Sequence, residues 1–106
     1  MAKYLLEVRY TSEGAKGLAR SGGSERRDVI SKMLQGFGGA LECFYFAFGE
    51  VDAYVIVDVA DETMMLAATL AVNQAGAATV RTVVLLTPED VDKAAKVTMD
   101  YTPPRR

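Results

Sequence analysis

The 106-residue chain contains no histidine, no tryptophan, one cysteine and three prolines. Each of these absences excludes something. Without histidine the chain lacks the commonest metal ligand and the usual general base near neutral pH, and His-based nucleophilic triads are ruled out. A single cysteine permits neither an intrachain disulfide nor a cysteine-built zinc site. An unpaired thiol on a strand fits a reducing compartment, so the expected location is the cytoplasm. No apolar run approaches the roughly 20 residues of a membrane span, and Met1-Ala2-Lys3 leads directly into a strand-like segment. Neither a leader nor a membrane partner is therefore expected. There is no basic excess: 12 Lys and Arg stand against 14 Asp and Glu. The tight basic pairs, Arg26-Arg27 and Arg105-Arg106, read as a solvated helix face and a tail, and nucleic acid is not an expected partner. No metal site and no cofactor are read from the sequence, and no catalytic residue is assigned.

What is present is apolar content, half of the chain, which a packed domain needs and a disordered segment lacks. Residues 3–10 alternate with period two and predict a strand. Thr11 is a candidate N-cap for a short helix interrupted by Gly14 and Gly17, with a break near Ser21–Gly23 and a restart capped by Ser24. Val29, Met33 and Phe37 then recur at spacing four, with Ile30 and Leu34 beside them, until Gly38-Gly39. Residues 40–48 are aromatic-rich and predict a second strand. Gly49-Glu50-Val51-Asp52 is a turn, and 53–59 completes a hairpin. Asp61 caps a helix over 61–75, Gly76 ends it, and 78–87 predict the last strand. Pro88 opens a short helix to about Val97, and the Pro-bearing tail is extended. The order β-α-β-β-α-β predicts an α+β, ferredoxin-like fold, a four-stranded antiparallel sheet with its helices on one face. Residues 1–97 form a single domain on this reading, and 98–106 its tail.

Alternation sorts the strand residues. Tyr4, Leu6, Val8, Val55, Val57, Val80, Thr82 and Val84 are expected beneath the helices. Leu5, Glu7, Arg9, Tyr54, Ile56, Asp58, Arg81, Val83 and Leu85 are expected on the open face. The second strand is apolar on both sides, with Phe44, Phe46 and Phe48 on one and Leu41, Cys43 and Tyr45 on the other. An open face this apolar marks an interface, so a homo-oligomer joined through it is expected. Glu7, Arg9, Tyr54, Asp58 and Arg81 are the candidate ligand-binding residues. Two readings of them are open: interfacial salt bridges, or a polar pocket for a small polar or anionic metabolite, since arginine grips a carboxylate with two parallel bonds. In the turn, Gly49 allows the positive φ of a tight connection, and Asp52 accepts backbone hydrogen bonds. Glu50 and Asp52 could instead act as a carboxylate pair. The scattered glycines Gly14, Gly17, Gly22 and Gly23 match no phosphate-binding motif and read as a mobile or distorted helix.

The stretch Gly49 to Val57, with Gly49-Glu50-Val51-Asp52 at its start, resembles the signature of the GYD domain family, named for a Gly-x-Tyr-Asp motif. Tyr10-Thr11 followed by Gly14, Gly38-Gly39, and Val80-Arg81-Thr82 resemble the family in the same order. Val51 stands where the motif has tyrosine, and Ala78 where a glycine usually precedes Val-Arg-Thr. The resemblance, over residues 3–87, implies a dimeric α+β barrel type of domain and no assigned activity. More distantly, the Gly-x-x-Asp hairpin and the Val-Arg-Thr strand are similar to the effector-binding domain of the leucine-responsive (Lrp/AsnC) regulators, which implies oligomers with small ligands at subunit interfaces. The chain shows no helix-turn-helix segment beside it.

The leading expectation is an oligomeric small-ligand-binding module with a polar site at the sheet interface, and whether it also catalyses a reaction is left open. The alternatives are a cofactor-independent enzyme of the α+β barrel type, for which Tyr10, Tyr45 and Asp52 are the residues to inspect in a cavity between sheet and helices, and a purely structural assembly protein.

Overall fold

A computed structural model describes residues 1–105; Arg106, half of the second basic pair and the end of the expected tail, lies outside them. The alternation read in the first segment yields β1 (Ala2–Tyr10). Thr11 caps α1 (Ser12–Ser21), its hydroxyl accepting from the Gly14 N–H at 3.2 Å. The chain breaks at Gly22, and α2 (Gly23–Gln35) begins there, not after a Ser24 cap. β2 (Ala40–Phe46), β3 (Ala53–Val59), α3 (Glu62–Ala75), β4 (Ala78–Leu85) and α4 (Pro88–Ala95) follow. All pairings are antiparallel, and the strand order is β2-β3-β1-β4. This is the α+β, ferredoxin-like arrangement, with its first helix divided in two and a short helix added at the end.

β2 departs from expectation in two ways. It stops at Phe46: the Ala47 N–H still reaches the Asp52 carbonyl at 2.8 Å, one step further in the same register, but the chain then enters the turn, and Phe48 is fully exposed. It also carries a bulge: Leu41 pairs with Val57 and Cys43 with Ile56, so Glu42 is an extra residue without a partner. That residue shifts the alternation by one. Leu41 therefore shares the helix side with Phe44 and Phe46, and only Cys43 and Tyr45 of the expected trio are on the open face. β4 ends at Leu85, two residues earlier than expected, because Thr87 is drawn into the cap of α4.

The core lies between sheet and helices. β1 contributes Tyr4 and Val8, β3 contributes Val55, Val57 and Val59, and β4 contributes Ala78; Leu34 of α2 and Met65 and Ala68 of α3 close over them. On α2 the buried stripe runs through Ile30, Leu34 and Phe37, and Val29 of the expected stripe is exposed. β4 is an edge strand, and the helix layer covers only its beginning. Ala78 is buried and Val80 half-buried, but Thr82 and Val84 remain exposed.

Candidate ligand site on the open sheet face

Antiparallel register places the open-face side chains in transverse rows. One row, Tyr45–Tyr54–Glu7–Arg81, crosses all four strands. The next, Cys43–Ile56–Leu5–Val83, is apolar, and each of its members is half-buried. A third runs Ala40–Asp58–Lys3–Leu85. The apolar row separates two polar ones.

The five candidate residues share this face but do not form one cluster. Asp58 belongs to the third row, where its carboxylate oxygens lie 3.0 and 3.2 Å from Lys3 Nζ. Glu42, displaced by the bulge, also binds that ammonium. The two acids, Glu42 foremost, hold the Lys3 ammonium above its ordinary pKa. Glu7 sits in the first row between Tyr54 and Arg81. Although Glu7 and Arg81 face each other across the ladder, neither forms an ion pair among the described residues. Arg9 lies one step beyond, at the rim. Its Nε donates to the Glu50 carbonyl at 2.9 Å, and its Nη2 is 4.0 Å from the Glu50 carboxylate.

The turn residues are tied to the end of β1. The Asp52 carboxylate accepts the Tyr10 N–H at 2.8 Å, and the Asp52 N–H donates to the Val8 carbonyl at 2.8 Å. Asp52 thus extends the β1–β3 ladder with its side chain once the backbone register runs out. Gly49 has φ 106°, the left-handed region where a side chain is strained, which lets the chain leave β2 sharply. Val51, at the position of the motif tyrosine, is buried. Glu50 is exposed and engages only Arg9 among the described residues.

On the helix side, Tyr10 is the common wall of three hollows. A cavity of about 40 Å³ lies in the core near Val8, Ile30, Val55 and Val80. A cleft of about 200 Å³ runs beside Gly14, Gly17 and Arg26, and an open groove of about 590 Å³ lies between α1 and Phe46. Burial pushes the Tyr10 phenol above its ordinary pKa, and the hydrogen-bonded Arg26 guanidinium pulls it part of the way back. The sequence reads Arg26 as half of a solvated basic pair, yet it is half-buried. The clue was its spacing: Arg26 precedes Ile30 and Leu34 by four and eight residues, and so lies on the buried stripe. Lys3 is outside the five candidate residues, although the same alternation places it on the open face beside Asp58.

Among the described residues, no group of three His, Cys, Asp or Glu side chains is positioned to hold a metal ion. No helix among them is long and apolar enough to cross a membrane. In comparisons with known proteins, the family model described as GYD domain matches residues 4–95. No curated protein and no solved structure matches the chain.

Proposed function

We propose, from the premise that the chain belongs to the GYD domain family, that it is a cytoplasmic small-ligand-binding module. Two copies come together through their open sheet faces, and a polar or anionic metabolite is held beside the row Tyr54–Glu7–Arg81. The observation that carries this reading is the Glu7–Arg81 juxtaposition without an ion pair among the described residues, next to a continuous apolar row. A second sheet laid over the apolar row removes water from both, and charged groups taken out of water need partners. Arg81 offers a planar fork for a carboxylate, Glu7 accepts an ammonium or hydroxyl, and Tyr54 supplies a ring and a phenol. Arg9 stands at the rim, and Asp58 is already paired with Lys3 of the same chain, so Asp58 is set apart from the ligand.

The enzyme alternative has Tyr10 in its favour, since that phenol borders the helix-side cavity. The core cavity, about 40 Å³ with a mainly apolar wall, is close to the space of one water and small for a substrate, and the larger hollows that Tyr10 also borders, of about 200 and 590 Å³, lie open at the surface. The open face is therefore the better-supported site.

The test is a thermal-shift screen of amino acids and small organic acids on the full chain, with Arg81→Met and Glu7→Gln as controls and mass measured by light scattering. Stabilisation by at least one carboxylate, lost in both variants while the dimer persists, is the expected result. A dimer that no compound stabilises would leave only the interfacial salt-bridge reading, and a monomer at 100 micromolar (a concentration chosen well above a roughly micromolar Kd) would overturn the interface as well.

A further inference from the structure

We infer that the cleft where α1, α2 and the end of β1 meet is a second binding site, for a small monocarboxylate with an apolar body, gripped by Arg26 and Tyr10. It lies on the helix side of the sheet and does not rest on the open-face reading. Among the described basic residues only Lys3 and Arg26 are half-buried. Lys3 holds two carboxylates, whereas Arg26 has no acid within ion-pair reach among the described residues. A guanidinium withdrawn from water is costly unless an anion meets it. Its head is turned inward. The guanidinium lies against the Tyr10 phenol, while Arg27 beside it stays exposed and pairs with Asp28 at 3.2 Å. The acids nearest the cleft are engaged elsewhere: Glu13 on its wall is exposed and 3.8 Å from Lys16, and the Asp52 carboxylate accepts the Tyr10 N–H.

The second observation is Gly17. Glycine within a helix weakens it, and at Gly14 close contact with the Ala77 carbonyl requires one. No contact requires it at Gly17, where a Cβ would meet nothing within 4 Å. What the missing side chain provides is space, since Gly17 lines the same cleft as Tyr10 and Arg26.

The class of ligand follows from the walls. The planar fork of Arg26 takes a carboxylate through two parallel bonds, and the Tyr10 hydroxyl can donate a third. Leu18 and the bare backbone at Gly17 receive an apolar body. Tyr10 and Arg26 also border the apolar core cavity of about 40 Å³, so the carboxylate sits where the polar cleft meets the core. The cleft holds about 200 Å³, below the roughly 300 Å³ at which sites for drug-sized ligands begin, so the ligand is small.

The test is a titration of the full chain with benzoate to about 20 mM, about twentyfold above a Kd on the order of 1 mM, followed through the amide spectrum. Benzamide, the uncharged isostere, is the control. Shifts centred on Gly14, Gly17 and Arg26 are expected, with benzamide at least about tenfold weaker, the loss of one charge-assisted hydrogen bond. Arg26→Met is expected to weaken benzoate by at least about tenfold. Gly17→Leu, which keeps Arg26 and fills the cleft, is expected to weaken it to a similar extent. Arg81→Met and Glu7→Gln are expected to leave it within about twofold, being on the other side of the sheet. No shifts at the highest concentration, equal binding of benzamide, or undiminished binding in Arg26→Met or Gly17→Leu would each overturn the site. Binding lost in Arg81→Met but kept in Arg26→Met would also overturn it and would credit the open face instead. Failure of the open-face reading, by contrast, leaves the benzoate shifts and their dependence on Arg26 unchanged.

Discussion

Replacing Gly14 with alanine and Gly17 with alanine is the same chemical change three residues apart on α1, and the two are expected to act in opposite directions. A Cβ at Gly14 would lie 1.9 Å from the Ala77 carbonyl oxygen and 2.8 Å from its carbon, where ordinary contact begins at 3.4 Å. The obstacle is backbone, and it is held in place. Ala77 O accepts the Thr11 N–H at 3.0 Å, and the Thr11 hydroxyl donates to Gly76 O at 2.8 Å. To admit the methyl, α1 must lift from the start of β4 and stretch these bonds, each worth about 0.5–1.5 kcal/mol net. Overpacking of this kind costs about 1–3 kcal/mol, against a helix-propensity gain of about 0.5–1 kcal/mol. Loss wins at Gly14, by about 1–3 kcal/mol once the strained bonds are counted. At Gly17 nothing lies within 4 Å of the new Cβ, so only the gain of about 0.5–1 kcal/mol operates. Urea unfolding followed by circular dichroism reads both, and an unchanged m-value confirms that stability alone has moved. At roughly 4–8 °C per kcal/mol, the two variants are expected to melt on opposite sides of the parent. A Gly14→Ala chain as stable as the parent, or a Gly17→Ala chain that loses as much as its neighbour, would refute the reasoning.

Two further outcomes follow from the same region. Asp52→Ala leaves the part-buried Tyr10 N–H without its acceptor and is expected to cost about 1–3 kcal/mol in urea unfolding, while Asp52→Asn, which keeps an acceptor oxygen, loses less. Burial favours the neutral Tyr10 phenol, so the unfolded chain ionises first as pH rises; stability is full below the ordinary tyrosine value of 10.0 and falls as pH climbs past it. In Tyr10→Phe that alkaline loss is expected to shrink, measured as the difference in unfolding midpoint between pH 8 and pH 11, either side of the ordinary tyrosine range.

Local chemistry made most of the fold legible. Period-two alternation in β1 and β3, Thr11 and Asp61 as caps, and Gly76 past the end of α3 each act within a few residues, and each appears where the sequence puts it. What escaped depends on neighbours distant in sequence. The Glu42 bulge is set by pairing with β3 and by Lys3, 39 residues away. Gly14 looked like a helix breaker; it is instead the point where α1 touches Ala77, a contact no local pattern encodes. Of the candidate site, alternation gave the face correctly, but the division into rows required the register. Only the register shows that Asp58 is taken by Lys3 while Glu7 faces Arg81.

The bulge also determines where this chain tolerates a change of length. Taking Glu42 out would leave Ala40, Leu41, Cys43, Phe44, Tyr45 and Phe46 in unbroken alternation, each on the side it already occupies. The loss would be the second acid on Lys3. Removing Tyr45 instead would bring Phe44 and Phe46 into succession and send one of them through to the opposite side. β2 therefore has a single position at which shortening preserves both surfaces of the sheet. Relatives one residue shorter in this strand can keep the same core and the same open face.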